Sequence, residues 1–383
     1  MIGKIPASLT EKLSRREIEE TLHIPGVVEP GMADFSSNDY LGLAASTELF
    51  EATHAFIIQN KVATSGATGS RVLSGSHSLF EVAEKYIANY HEAEGALIFN
   101  SGYDANVGFF SSVPQKGDVV LYDEHIHASI RDGLRLSGAT AYKFPHNDKE
   151  ALFNLVERYR PKAGELYIVT EAVFSMDGDT PNLAAFVEIT EKYRCRLVVD
   201  EAHAVGVFGE KGEGLLQAYG LHNKVFARII TFGKALGCHG AAVLGPEELI
   251  KYLANFARSF IYTTALPPHS LATIISAYKI LESSPEKLTQ LHDITMFFKG
   301  ETERCNLKFI LSFSTIHCIA VPGVGKAKKI AATLQRAGFS VKPLLEPRVP
   351  AGQERLRFCI HAFNTKREIS TMMDILTQAL RFS

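Results

Sequence analysis

Five short apolar runs, set apart by longer amphipathic stretches, most constrain what this chain can fold into. ALIFN (96–100), VVLYD (119–123), ELYIVTEA (165–172), CRLVVDEA (195–202) and ARIITFG (227–233) have strand length and strand chemistry. SLFEVAEKYIANYH (78–91) and AAFVEITEKYR (184–194) carry the helical period between them. Strands alternating with helices predict an α/β fold built on a mostly parallel central sheet with helices on its faces. A helical zone over 247–282 then ends at SSPEK, where two serines and a proline mark a boundary. Beyond it, STIHCIAVP, GKAKKIAATLQRAG, FSVKPL, RLRFCIHA and NTKREISTMMDILTQAL predict strand, helix, two strands and helix. The last helix opens on the capping-box spacing Thr365 to Glu368. The pattern divides the chain into an N-terminal arm (1–45), a large domain (46–284) and a small C-terminal α/β domain (285–383).

Composition removes several classes of function. With 383 residues, 46% of them hydrophobic, the chain can build sizeable cores. Forty basic residues oppose 42 acidic ones for a net charge of -2, and no basic run gathers charge, so no nucleic acid partner is expected. No apolar stretch has membrane-spanning length, and MIGKIPASLTEKLSRREIEE turns charged where a signal peptide would be greasy. A cytoplasmic protein with no membrane partner is expected. The five cysteines are odd in number and never spaced as CxxC, which speaks against disulfides and structural zinc.

In an open parallel sheet, ligands gather beyond the carboxyl ends of the strands. Those ends carry Asp200 and His203 (LVVDEAH), Lys234 (RIITFGK), Glu171, Ser175 and Asp177 (IVTEAVFSMDGD), and His125 and His127 (LYDEHIHAS). Each has an ordinary structural reading: a helix cap, a bonded core histidine, a solvated lysine. Placed together, they predict one pocket that collects them all.

Lys234 is the most informative. Gly233 and Gly237 permit tight turns and close approach, which suits a lysine covered by a flat ligand. An amine in a partly dry site has a depressed pKa and can condense with an aldehyde. A buried Asp200 would keep a pyridine nitrogen protonated, which makes the ring of pyridoxal 5'-phosphate an electron sink. Ser101 and Gly102 stand after a strand and before a helix, where a helix N-terminus holds an anion, and Thr231 offers a hydroxyl from a neighbouring strand end.

Two rival motifs stand in the sequence. HIH (125–127) and DEAH (200–203) could hold a hydrolytic metal, although no HExxH or cysteine framework accompanies them and Lys234 would be left without a task. PGVGKA (322–327) is not a phosphate loop, since GxxxxGK[ST] needs glycine at Ala320 and Ser or Thr at Ala327. No GxGxxG follows a strand, so a nicotinamide cofactor has little support.

The chain resembles the α-oxoamine synthase family of pyridoxal-phosphate enzymes through FSSNDYLGLA (35–44), GATGSRVLSGSH (66–77), SGYDAN (101–106), DEHIHAS (123–129), TEAVFSMDGD (170–179), VVDEAHAVGVFGEKGEG (198–214), TFGKALGCHGAAVLG (231–245), FIYTTALPP (260–268) and VPAGQERLRFCIHAFNT (349–365). The resemblance implies the fold type I, aspartate aminotransferase-like architecture. It further implies that Lys234 joins the cofactor's aldehyde and later moves the substrate's α-proton, that Asp200 pairs with the ring nitrogen, and that His203 approaches the phenolic oxygen. His127 would stack on the ring face and Ser175 would lie near the ring's oxygen substituents. Gly102 and Tyr103, through their amides, and Thr231 would serve the phosphate, with Thr263 or Thr264 reaching it from a second subunit of a homodimer. Arg357 would take the amino acid's carboxylate, Asn38 would lie close by, and Arg355 is expected to be structural. The implied reaction is decarboxylative condensation of an L-amino acid with an acyl thioester. The core motifs are shared by alanine, glycine and serine users, and GATGSRVLSG and LRFCIHAFNT favour alanine. The stretch GVVEPGMADF (26–35) is compact, Arg15 and Arg16 read as exposed helix charges, and Cys238 and His239 receive no role.

Overall fold

A computed structural model describes residues 5–22 and 31–382; residues 26–30 of the compact GVVEPGMADF stretch and the first four of the charged N-terminus lie outside them. The strands in chain order are β1 (Ala33–Asp34), β2 (Gly95–Phe99), β3 (Val119–Asp123), β4 (Thr140–Phe144), β5 (Leu166–Glu171), β6 (Arg196–Asp200), β7 (Ala227–Thr231), β8 (Ala241–Gly245), β9 (Ile316–Ala320), β10 (Phe339–Ser340), β11 (Lys342–Leu344) and β12 (Arg355–Cys359).

A seven-stranded sheet in the order β2-β8-β7-β6-β5-β3-β4 forms the centre, parallel throughout except for β8, which runs antiparallel to both neighbours. The five strands expected from their apolar runs are all present. β5 is buried at every position and β6 at all but its first, as central strands covered on both faces must be. Alternation then divides the core: Leu197 and Val199 face a cluster with Phe80, Ile87, Leu271 and Tyr278, while Val198 faces one with Phe109, Phe110 and Ile130.

β4 and β8 carry no matching signal in the sequence reading. β4 lies at the sheet edge and buries only Phe144 fully, so TAYKF lacks an apolar run; β8 is the short, alanine-rich AAVLG. A further helix, Glu286–Arg304, also went unread between the boundary at Ser284–Pro285 and β9. Its mixed charged and apolar surface buries only a narrow stripe that includes Leu291, Ile294 and Phe298.

The C-terminal elements form the antiparallel sheet β11-β12-β9, with helices Val324–Arg336 and Lys366–Arg381 packed on a third core around Phe298, Ile319, Leu334, Phe358 and Met372. The capping box is formed: Glu368 N–H donates to Thr365 Oγ1 at 3.2 Å and Thr365 N–H to Glu368 Oε2 at 2.7 Å. The arm is fastened to this small domain. β1 pairs in parallel with β10, Ala33 opposite Phe339, and Phe35 is buried in the third core.

Candidate active site

Parallel strands deliver Asp123, Glu171, Asp200 and Thr231 at one edge of the central sheet, with Glu171 and Asp200 in register as neighbours. Asp200 is buried there. Its Oδ2 accepts from Asn106 Nδ2 at 2.9 Å and its Oδ1 from the Ala202 amide at 2.9 Å. Both donors are neutral, and among the described residues no cation is ion-paired to it. Asn106 also donates to Ser129 Oγ at 3.1 Å, and Ser129 contacts His127 Nδ1 at 2.7 Å. The His127 amide donates to Glu171 Oε1 at 2.6 Å. Burial pushes Glu171 well above the usual carboxylate range, and the charge on Asp200 adds to the shift.

Lys234 follows β7 on the adjoining loop. No hydrogen bond or ion pair holds its amine among the described residues. Burial lowers its pKa to about 8, against the pull of Asp200 and Glu171, which favour the ammonium. Gly237 (φ 62°) makes its close approach to the arm, where an added Cβ would lie 2.2 Å from the Ala44 nitrogen, so its task is packing the loop on the arm.

Ser101 caps the helix Gly102–Ser112, accepting from the Asp104 amide at 3.1 Å and donating to Asp104 Oδ2 at 2.8 Å. Its hydroxyl is therefore engaged. The amides of Gly102 and Tyr103, first in the helix, have no intrahelical acceptor and point outward from a positive dipole end. A Cβ on Gly102 would lie 3.7 Å from Thr231 Oγ1, so the predicted anion-binding groups do converge. Asn100 draws the 263–264 segment of the same chain to this place, donating to Thr263 Oγ1 at 3.1 Å and to the Thr264 carbonyl at 2.7 Å.

On the other side, His203 Nδ1 lies 2.7 Å from the hydroxyl of buried Tyr40. Burial, reinforced by the charges of Lys234 and Arg357, holds His203 well below the usual histidine value. Asn38 Oδ1 accepts from Arg357 Nη2 at 2.8 Å and from Tyr40 at 3.3 Å, while Arg357 Nε is buried without a partner. The arm, the small sheet and the large domain therefore meet at this pocket.

Two expected members stand elsewhere. Asp177 pairs with Arg355 of β12, which gives that arginine the structural place expected of it. His125 stacks on His146, ring centroids 4.1 Å apart, and its backbone N–H donates to Asp123 Oδ1 at 2.8 Å. Among the described residues no group of three or more metal-ligating side chains assembles. Ser175 is half-buried in the turn after β5. His239 is exposed, Cys238 Sγ bonds the Leu236 carbonyl at 3.0 Å, and Arg15 pairs with Glu19 at 2.7 Å on an exposed helix face. Asn106, Tyr40 and Asn100 escaped the sequence reading. Asn106 and Tyr40 lie inside motifs quoted for the resemblance, but nothing local shows where their side chains bond.

The chain's residues 30–376 match the family described as aminotransferase class I and II, and the chain belongs to that family. An 8-amino-7-oxononanoate synthase of Emericella nidulans is 39% identical, covering 98% of this chain and 95% of that protein. The solved 8-amino-7-oxononanoate synthase of Francisella tularensis superposes with a TM-score of 0.79 at 29% identity, over 92% of this chain and 99% of that one. A serine palmitoyltransferase from S. paucimobilis with PLP bound superposes with a TM-score of 0.89 at 26% identity, over 98% and 97%. These relatives are α-oxoamine synthases, the group the sequence motifs resemble.

Proposed function

We propose that this chain is a pyridoxal 5'-phosphate enzyme that condenses L-alanine with a pimeloyl thioester of coenzyme A or acyl carrier protein. The products are 8-amino-7-oxononanoate, carbon dioxide and the free thiol, a step of biotin biosynthesis. The observation that carries the reading is a buried carboxylate beside a free amine: Asp200, held by two neutral donors, and Lys234, whose amine has no partner among the described residues. A cationic ring nitrogen and an aldehyde complete both, and the two free helix amides opposite Thr231 suit a phosphate.

When bound, the cofactor supplies an aldehyde and, with its ring nitrogen protonated, a sink for the electron pair released at the α-carbon. The protein's residues do the rest. Asp200 holds the ring nitrogen's proton and Asn106 keeps the carboxylate aimed. His127, braced by Ser129, would cover one ring face, and Ser175 would serve the ring's oxygen substituents. Tyr40, 2.7 Å from His203 Nδ1, orients that ring toward the phenolic oxygen. Lys234 would hold the cofactor through its aldehyde, and its amine, with a pKa lowered to about 8, is suited to hold and move the α-proton at Nζ. Arg357, oriented by Asn38, binds the alanine carboxylate. Gly102, Tyr103 and Thr231 bind the phosphate beside the Ser101 cap, with Thr263 or Thr264 of a second subunit completing a shared site. In this reading the enzyme is a cytoplasmic homodimer of 1–45, 46–284 and 285–383 units; among the described residues no helix is long and apolar enough to cross a membrane.

A second reading, serine with palmitoyl-CoA, draws on the higher TM-score of the serine palmitoyltransferase. The sequence identity favours the first. A thiol-release assay decides between them: pimeloyl thioester with alanine is expected to turn over, against acetyl-CoA with glycine and palmitoyl-CoA with serine. Release with only one of the latter pairs overturns the substrate assignment.

A further inference from the structure

Beside the pocket lies a second polar cluster with no part in the roles above. It is centred on His146, just beyond the end of β4. Its Nδ1 is 2.8 Å from Asp123 Oδ1, at the end of β3, and its Nε2 is 2.7 Å from Asp179 Oδ2, in the turn after β5. A neutral imidazole has one N–H, so two carboxylate acceptors on opposite nitrogens require the doubly protonated ring. Burial opposes that charge, but hydrogen bonds to Asp123 and Asp179 outweigh it and raise the His146 pKa to about 10.

The surroundings are built for this ring. Asn147, in the left-handed region (φ 56°), donates its amide to Asp123 Oδ2 at 2.8 Å and its side chain to Asp179 Oδ2 at 2.6 Å. The His146 amide donates to Glu124 Oε1 at 3.2 Å. His125 stacks on one face of the ring, its own pKa lowered by burial and by the His146 charge, and Phe174 meets the ring edge-on at 4.5 Å. His125 is two residues before His127, and Phe174 is one before Ser175. The two segments are also tied nearby by the His127 amide to Glu171 and, alongside His146, by Asn147 through its bonds to Asp123 and Asp179.

We propose that His146 is a positioning residue: its imidazolium clamps the loop that carries His127 to the turn that carries Ser175, setting both against the cofactor. The inference rests on the function proposed above. Without the clamp, Asp123 and Asp179 repel across a half-buried gap, and the loop and turn separate. Misplacement of His127 and Ser175 lowers turnover with little effect on the alanine carboxylate, which Arg357 holds from β12.

The test compares the parent holoenzyme with His146→Gln, Asp179→Ala and Asp179→Asn. Gln is uncharged and carries its donors on one nitrogen in place of two opposed ones, Ala removes one arm, and Asn keeps an acceptor for the Nε2 proton. In His146→Gln the expectation is a kcat fall of at least about tenfold with KM for alanine within about twofold, and a weakened visible circular dichroism band of bound cofactor. Hydrogen exchange should quicken at the His125, His127 and Phe174 amides with the rest of the sheet unchanged. Asp179→Ala should quicken the same amides if His146→Gln does not fold, and Asp179→Asn should restore near-parent values. Parent-like exchange and kcat in His146→Gln and Asp179→Ala overturn the clamp, as does quickening spread evenly over the chain. Exchange is read with or without cofactor, so a parent that releases no thiol indicts the function and leaves the clamp to be judged separately.

Discussion

Lys234 owes its usefulness to what does not touch it. Asp200 and Glu171 act on its charge, yet among the described residues no carboxylate bonds its amine, so burial prevails and the pKa falls to about 8. The neutral amine is the form that attacks an aldehyde. Its fraction grows as pH rises through 8, where an ordinary lysine would still be charged. Capture of pyridoxal phosphate by cofactor-free protein, followed by absorbance, should therefore accelerate with pH and level off above a midpoint of about 8. A midpoint near the ordinary lysine value of 10.5 contradicts the site as described, and Lys234→Ala should abolish the covalent product. Lys234, Asp200 and His203 were readable because a strand end is a local feature. Asn106 and Tyr40 were not, because their bonds span 94 and 163 residues of chain.

Among the elements, those with a strong local signal appeared where the pattern placed them. The final helix is an example, its start set by Thr365 and Glu368 and its inner face by Ile369, Met372, Met373 and Leu376. Thr365→Ala removes an acceptor for the Glu368 amide and should cost about 1 kcal/mol in chemical denaturation, with Thr365→Ser close to the parent. An unchanged midpoint in Thr365→Ala would show that the box is decorative. β4 was illegible for a related reason. An edge strand with one buried residue needs no apolar run, and its stability comes from backbone pairing with β3 that no periodicity reports.

At the scale of the whole molecule, the candidate site exists only where three parts of the chain meet. The arm brings Asn38 and Tyr40, β12 brings Arg357, and the large domain brings His203 and Lys234. Arg355 and Asp177, one on each side of the seam and both buried, help to hold it closed. Arg355→Met leaves Asp177 buried without its partner and should cost about 3 kcal/mol or more in urea denaturation. The double variant Arg355→Met/Asp177→Leu should recover most of that loss, since an apolar pair replaces an ionic one at little cost. Equal losses in both would mean that the pair carries no coupling.

The order of strand, helix and strand, the polar residues at the strand ends and the capped last helix were determined by the sequence alone. All of them follow from neighbours a few residues apart, through side-chain alternation, helical period and turn chemistry. Only the tertiary structure decided that His125 and Asp177 leave the pocket while Asn106 and Tyr40 enter it, and that His146 faces two carboxylates at once. Those outcomes depend on the order of strands in the sheet and the docking of arm and small domain, which crossovers of tens to hundreds of residues create and no local pattern encodes.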